Sequence, residues 1–539
     1  MKKFAGLVVI LAVLILGSYY GMGLITERTL KKDINMVNKS GGLHIDILEY
    51  HRGWFTSNAK FNWQLHIPER VVKNQDGQST TTPAQDYAID MPLTIYHGPI
   101  IFADSGVQFG LGYAYTDLVL PPKYDESFST TFATGSSKPK LDMSVLVNYF
   151  NKSRMRINVP QFKLLTKDTN GQFEWLGMTN DVTVSSNLNT IDGDLTIDGM
   201  NFLKDDVKGT IGKVTSDYDL HQTKEGLYLG DASLSFPSVV ITQKDQKIFE
   251  MEHFDVKTSS YIDGGLFSSD FKTSLEKIIA NGKTYGPALL KMSIKNLDAQ
   301  ILAQLNDQVN KMQQAPEQQR QQIMISMLPE LPKLFSKGAE FQISEVSFVM
   351  PEGKIEGDLL VALPKGDVSN PFELIQKVSG QGKLKVPAPV LKEILLTSAK
   401  QQLSQPSIQQ AMIDHMQSND QASAANQPAT TEAKDVAGTD AKPNPDNQAA
   451  TTVAVDNQTT AVVVDNQVTT SPQPQPVSPP LTGPELDKKA AVVADQKLAS
   501  LVQSGLFVTN GSDYVVEFKL AAGQLSVNGQ PFNPAMMKF

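Results

Sequence analysis

The stretch Ala59-Lys60-Phe61-Asn62-Trp63-Gln64-Leu65-His66-Ile67 decides the fold. Ala59, Phe61, Trp63, Leu65 and Ile67 alternate with polar neighbours. That is the period of a strand with one face in a core and the other in water. Clean alternation indicates an antiparallel sheet, because strands of parallel sheets are buried on both faces and read as continuous apolar runs. The pattern begins earlier at Leu43, Ile45 and Ile47 and returns at Met143–Tyr149, Met155–Val159 and Tyr514–Leu520. Asp192-Gly193 and Pro121-Pro122 read as turns between such runs. Residues 27–270 are therefore expected to form extended antiparallel sheets.

Outward from this region the period changes. Leu297, Ile301, Leu305, Val309 and Met312 recur at helical spacing, and a second helix is expected from Pro316 until Pro329 or Pro332 ends it. A strand pair is expected over 341–350 and 355–363, then a strand at 383–386 and helices near 390–403 and 407–416. This makes 271–420 a mixed α/β segment packed on the β region. Residues 421–480 hold no Phe, Tyr or Trp and too little apolar surface to offset chain ordering, the composition of a disordered linker. Residues 481–539 read as a helix stopped at Gly505, then a β-meander with hairpin signals at Asn510-Gly511 and Asn528-Gly529. So small a unit is expected to dock on the body. The fold class is α+β and β-rich.

Phe4–Ile25 is uncharged over 22 residues. As a helix it spans about 33 Å, against about 30 Å for a hydrocarbon core. Lys2 and Lys3 precede it, Tyr19 and Tyr20 sit where an aromatic belt would fall, and no A-x-A-like cleavage site follows. Residues 1–26 are thus expected to be a single transmembrane signal anchor. Gly17 and Gly21 have the spacing that lets two membrane helices approach, which would suit a homodimer.

The chain of 539 residues carries a net charge of -9 and no cysteine. Disulfides, thiol nucleophiles and Cys-type metal sites are excluded, and the acidity argues against nucleic-acid binding. No catalytic signature appears: no G-x-S-x-G, H-E-x-x-H, Walker A or G-x-G-x-x-G. Residues 378–383 (VSGQGK) lack phosphate-loop spacing and read as a turn before a strand. His44, His51, His66 and His97 crowd the first hundred residues without metal-site spacing. Asp192, Asp194 and Asp198 crowd together but in the wrong order for a calcium loop, and read as a polar strand face with turns at Gly193 and Gly199. No cofactor or metal is expected.

Tyr50-His51-Arg52-Gly53-Trp54-Phe55-Thr56-Ser57, His97-Gly98-Pro99 and Gly523–Gly529 (GQLSVNG) occur in this order. They resemble the Gly-Trp-Phe-x-Ser segment, the His-Gly-Pro turn and the closing Gly-x-Leu-x-x-Asn-Gly of the YdgA-like family of bacterial envelope proteins. The resemblance spans the chain except 421–480. It implies one N-terminal anchor in the bacterial inner membrane and a periplasmic body, and marks Gly53, Trp54, Phe55, Ser57, His97, Gly98, Pro99, Asn528 and Gly529 as motif residues of unknown role. The expectation is a non-enzymatic envelope protein that binds a partner protein or a lipid-like ligand. Two rivals stay open: a metal-dependent or other hydrolase using the N-terminal histidines, and a structural or adhesion protein with a flexible spacer.

Overall fold

A computed structural model describes residues 2–39, 43–67, 70–73, 79–82, 85–103, 106–120, 124–167, 170–314, 317–366, 376–404 and 483–532. The expected linker over 421–480 and the helix over 407–416 lie outside these residues. The first element is the helix α1 (Lys2–Lys39). Among the described residues no helix is long and apolar enough to cross a membrane. The helix boundary expected after residue 26 is corrected: α1 continues for thirteen residues into the segment expected to be β. Leu30, Ile34 and Val37 recur at helical spacing and pack on the sheet, while Glu27 and Lys31 pair at 2.7 Å on the helix surface.

The sheet begins with β1 (Leu43–Arg52), β2 (Thr56–Ile67), β3 (Arg70–Lys73), β4 (Ser79–Thr82), β5 (Gln85–His97), β6 (Ile100–Ala103), β7 (Gly106–Phe109) and β8 (Gly112–Val119). After the short α2 (Asp125–Thr131) come β9 (Lys140–Val147), β10 (Ser153–Val159), β11 (Phe162–Leu165), β12 (Gln172–Trp175), β13 (Met178–Val184) and β14 (Thr190–Ile197). Then follow β15 (Met200–Lys204), β16 (Val207–Ile211), β17 (Val214–Gln222), β18 (Tyr228–Gln243), β19 (Gln246–Asp263), β20 (Leu266–Ala280), β21 (Lys283–Tyr285) and β22 (Ala288–Asp298). Helices α3 (Ala299–Gln314), α4 (Glu317–Met327) and α5 (Leu331–Phe335) precede β23 (Glu340–Met350), β24 (Gly353–Ala362) and β25 (Ser379–Pro387). The last strands are β26 (Val508–Asn510), β27 (Asp513–Ala521), β28 (Gln524–Val527) and β29 (Gln530–Pro531).

Twenty-five of these strands form one sheet. Antiparallel pairing runs unbroken from β1 through β2, β5, β8, β9, β10, β13 and β14 to β17 and β18. It continues through β19, β20, β22, β23, β24 and β25 to β27. The second half of β18 also pairs with β16, which begins a branch of β16, β15, β12 and β11.

Several local expectations change. β20 crosses residue 270, so the boundary expected there falls inside a strand. Leu297 belongs to β22, and α3 starts only at Ala299, where Asp298 Oδ1 accepts from the Gln300 and Ile301 amides. Gly193 is no turn: it lies inside β14, and the Tyr218 hydroxyl fills the space its Cβ would occupy. Residues 379–383 are the start of β25, where the Phe518 ring lies over Gly382.

The chain divides into two compact units, residues 1–391 with 499–539, and residues 392–498. The described parts of the second unit are helical. They are joined by ion pairs of Lys392 with Asp495 and Lys400 with Asp487, with Ala399, Ala490 and Ala494 buried. In the first unit buried hydrophobics gather in two clusters. One lies under α1 around Phe61, Met91 and Ile95, the other under α3 and α5 around Leu297, Leu305 and Leu334.

Candidate functional site

The motif residues near the N-terminus converge on one structure, the junction between α1 and the sheet. The turn between β1 and β2 holds Gly53, Trp54 and Phe55; the turn after β5 holds Gly98 and Pro99. The His97 amide donates to Phe55 O at 3.0 Å, which ties the two turns together. His97 is 1% exposed and Ser57 is 0% exposed. The Ser57 hydroxyl and His97 Nε2 are 3.1 Å apart, and His97 Nδ1 lies 3.3 Å from the Tyr19 carbonyl of α1. A neutral imidazole satisfies both: Nδ1–H donates to the helix and Nε2 accepts from serine.

The helix fits this surface by having no side chain where the imidazole sits. A Cβ on Gly23 would lie 2.7 Å from His97 Cε1. Gly98 reciprocates: at φ +134° it lies directly under the Tyr19 ring, which occupies the space of a Cβ. Tyr19 donates to Ile100 O at 2.6 Å and meets Phe55 edge-on; Tyr20 packs on Trp54 at 5.3 Å. Thr26 donates to Leu111 O at 2.9 Å, and Gly112 leaves room for its side chain. Arg52 pairs with Glu27 at 2.9 Å and lies over the Tyr20 ring. At the far end, Asn38 exchanges two hydrogen bonds with the Ile45 backbone. From Tyr19 to Asn38 the helix is thus fastened along β1, and it leaves the sheet at the end carrying the Gly53 and Gly98 turns.

Burial disfavours the charged imidazole and pushes the His97 pKa down; Arg52 acts the same way, against the opposing backbone acceptors. With the folded pKa below the ordinary value near 6.5, the unfolded state binds more protons. Docking of α1 should therefore be at full strength above about pH 6.5 and weaken as pH falls below it. Hydrogen exchange of the α1 amides at pH 7.5 and pH 5 measures this, and the difference should shrink in His97→Gln.

Asn528 and Gly529 lie far off in sequence and serve a different purpose. Asn528 Nδ2 donates to Gly505 O and Leu506 O, and its Oδ1 accepts from the Glu517 amide at 2.8 Å. Asn528 and Gly529, both at positive φ, form the turn between β28 and β29. Asn528 thus fastens the C-terminal meander to the Gly505-Leu506 segment that leads into it.

The histidines do not converge. His44 and His51 are exposed beside Asp46 and Glu49. They stand seven residues apart on β1, about 23 Å at strand rise. His97 is enclosed at the junction, and the His66 side chain lies outside the described residues. Among the described residues no group of three His, Asp or Glu side chains is placed to hold a metal. Gly17 and Gly21 have open space above them.

Beyond the junction, the two sheet faces differ. Ile95, buried under α1, is followed across the strands by its register partners Ala114, Val145, Met155, Val182, Gly193 and Tyr218. A neighbouring row on the same face runs Leu195, Ser216, Leu234, Val256, Thr273, Leu290 and Val346. The apolar members of this second row are half-buried, and neither buried cluster reaches them. The opposite face carries charges of both signs that line a groove of about 940 Å³, with Asp270 among the lysines. Asp192, Asp194, Asp217, Asp219 and Asp231 lie on β14, β17 and β18, while Lys257, Lys272 and Lys291 follow on β19, β20 and β22.

Sequence reasoning missed the helix half of the junction. No local pattern joins Tyr19 and Tyr20 to Phe55 and Trp54, or Gly23 and Thr26 to His97 and Gly112. The available signal was the small pair Gly23 and Thr26 in line with Leu30, Ile34 and Val37, a stripe made for close approach to another surface.

A family model described as a bacterial protein of unknown function (DUF945) matches residues 1–535. No curated protein and no solved structure matches the chain.

Proposed function

The chain belongs to the DUF945 family of bacterial proteins of unknown function, and from that premise we propose a non-enzymatic envelope protein, anchored in the inner membrane by the start of α1, that binds a lipid-like molecule along the apolar face of its periplasmic sheet. The anchor reading is supported by Phe4–Ser18, the 15 uncharged residues of α1 between Lys2-Lys3 and the junction. They extend about 22 Å, most of the way across a hydrocarbon core of about 30 Å. Val13 to Leu16 are exposed there.

The observation that carries the ligand reading is the continuity of the apolar face. It begins under α1 as closed core and continues over the central strands as half-buried Leu195, Leu234, Val256 and Leu290. A half-buried apolar row gains by being covered, and an acyl chain is a cover of matching chemistry. At about 0.8 kcal/mol per CH₂ removed from water, covering a sixteen-carbon chain has a gross gain on the order of 10 kcal/mol, the same order as the cost of association.

The test is photo-crosslinking of the full-length protein, in its native membrane, with a phospholipid carrying a diazirine in its acyl chain. Cross-linked peptides should map to β14, β18, β19 and β22 as well as to α1. Labelling confined to α1, or absent, overturns the ligand reading.

A further inference from the structure

We infer that the end of the sheet from which α1 emerges is itself a membrane-contacting surface, an aromatic rim that seats in the phospholipid headgroup region around the helix. The inference rests on the anchor reading above and adds a second contact between body and bilayer.

The rim follows from the order of the strands. Because β1, β2, β5, β8, β9 and β10 are neighbours in antiparallel succession, the β1–β2 turn, the β5–β8 connection and the β9–β10 turn all fall at one end. Each presents aromatic side chains to solvent. The first offers Trp54 and Phe55. The second, the β6–β7 hairpin, offers Phe102 at 70% and Phe109 at 61% exposure, and the third offers Phe150 at 87%. Scattered single exposed hydrophobics are ordinary, but aromatics on three adjacent loops at one end form a patch.

The helix says what covers that patch. Tyr19 and Tyr20 mark where α1 leaves the sheet, and their rings pack on Phe55 and Trp54, so the rim is continuous with the helix surface. Tyr19 also donates to Ile100 O at the start of the hairpin, and the Tyr149 hydroxyl donates to Pro99 O. The first two loops are therefore fastened to the helix, and the third to the second, at the level where the helix's apolar segment meets the sheet. If that segment lies in the hydrocarbon, the rim lies at the headgroups, where amphipathic aromatics concentrate. A bilayer is the one occupant whose position the chain itself dictates.

The absence of cysteine makes the test clean. Full-length protein is reconstituted in vesicles of phosphatidylethanolamine and phosphatidylglycerol, with a nitrobenzoxadiazole probe on one introduced cysteine at a time. The positions are Phe150→Cys and Val107→Cys on the rim, Leu14→Cys on the helix and Lys244→Cys at the opposite end of the sheet. The rim probes are expected to emit severalfold more brightly in vesicles than exposed positions do, and to resist aqueous dithionite. The Lys244 probe should do neither. A shielded helix probe with exposed rim probes overturns the rim and keeps the anchor. Exposure of both overturns the rim and the anchor reading together. Energy transfer between donor- and acceptor-labelled rim positions on separate molecules in the vesicles overturns the rim in favour of a second copy of the chain.

Discussion

Gly98→Ala is expected to detach α1 from the sheet without unfolding the rest of the protein. The new methyl would occupy the Tyr19 ring, and the backbone would be held at a φ of +134°, which alanine strongly disfavours. Overpacking costs about 1–3 kcal/mol and a strained backbone position a similar amount. The sum, about 3 kcal/mol or more, corresponds to roughly a hundredfold in an equilibrium. Tyr19 is the helix residue that meets Phe55, Ile100 and His97 together, so moving it releases the whole contact. Amides of residues 23–38 should exchange about a hundred times faster, while those of β18 to β20 keep their protection. Gly17→Ala is the control, since nothing lies within 4 Å of Gly17, and it should change nothing. Unchanged exchange in Gly98→Ala would mean that the Tyr19 contact does not hold the helix.

The second large effect belongs to the apolar face. Leu234→Lys combined with Leu290→Lys places two cations in the row that the proposed acyl chain would cover. Both positions are half-buried, so the lysine stems can lie along the sheet with their ammonium groups in water. The sheet should therefore persist, with a circular dichroism spectrum and melting profile near those of the parent. A bound hydrocarbon would instead have to desolvate the charges, at several kcal/mol. Photo-crosslinking of β18 and β22 by acyl-diazirine lipid should fall at least about tenfold. Asp217→Asn changes charge on the adjacent strand but on the opposite face, and should leave labelling unaltered. Equal loss in both variants would point to general electrostatics and not to a ligand on the apolar face.

Some of this was open to reading in one dimension. Alternation in Ala59–Ile67 specifies a strand with one apolar side, and Asn528-Gly529 specifies a tight turn, because both depend on residues within a few positions of each other. The sequence by itself determined a β-rich chain, a long apolar start and the absence of thiol chemistry. It did not determine where α1 ends. Residues 27–39 are too polar to continue the apolar run, and packing of Leu30, Ile34 and Val37 beside β1, β2 and β5 holds this part of the helix on the sheet.

The roles of Ser57, His97 and Gly98 were likewise decided by the tertiary structure. A buried histidine and an exposed one look alike in sequence; what distinguishes His97 is the missing Cβ of Gly23, 74 residues earlier. Alternation states that one side of each strand is apolar, but a closed core and an open binding face require the same residues. Register and pairing across more than a dozen strands place α1 over one end of the face and leave the central rows half-buried. Those contacts join residues distant in the chain, and no local pattern records which of them form.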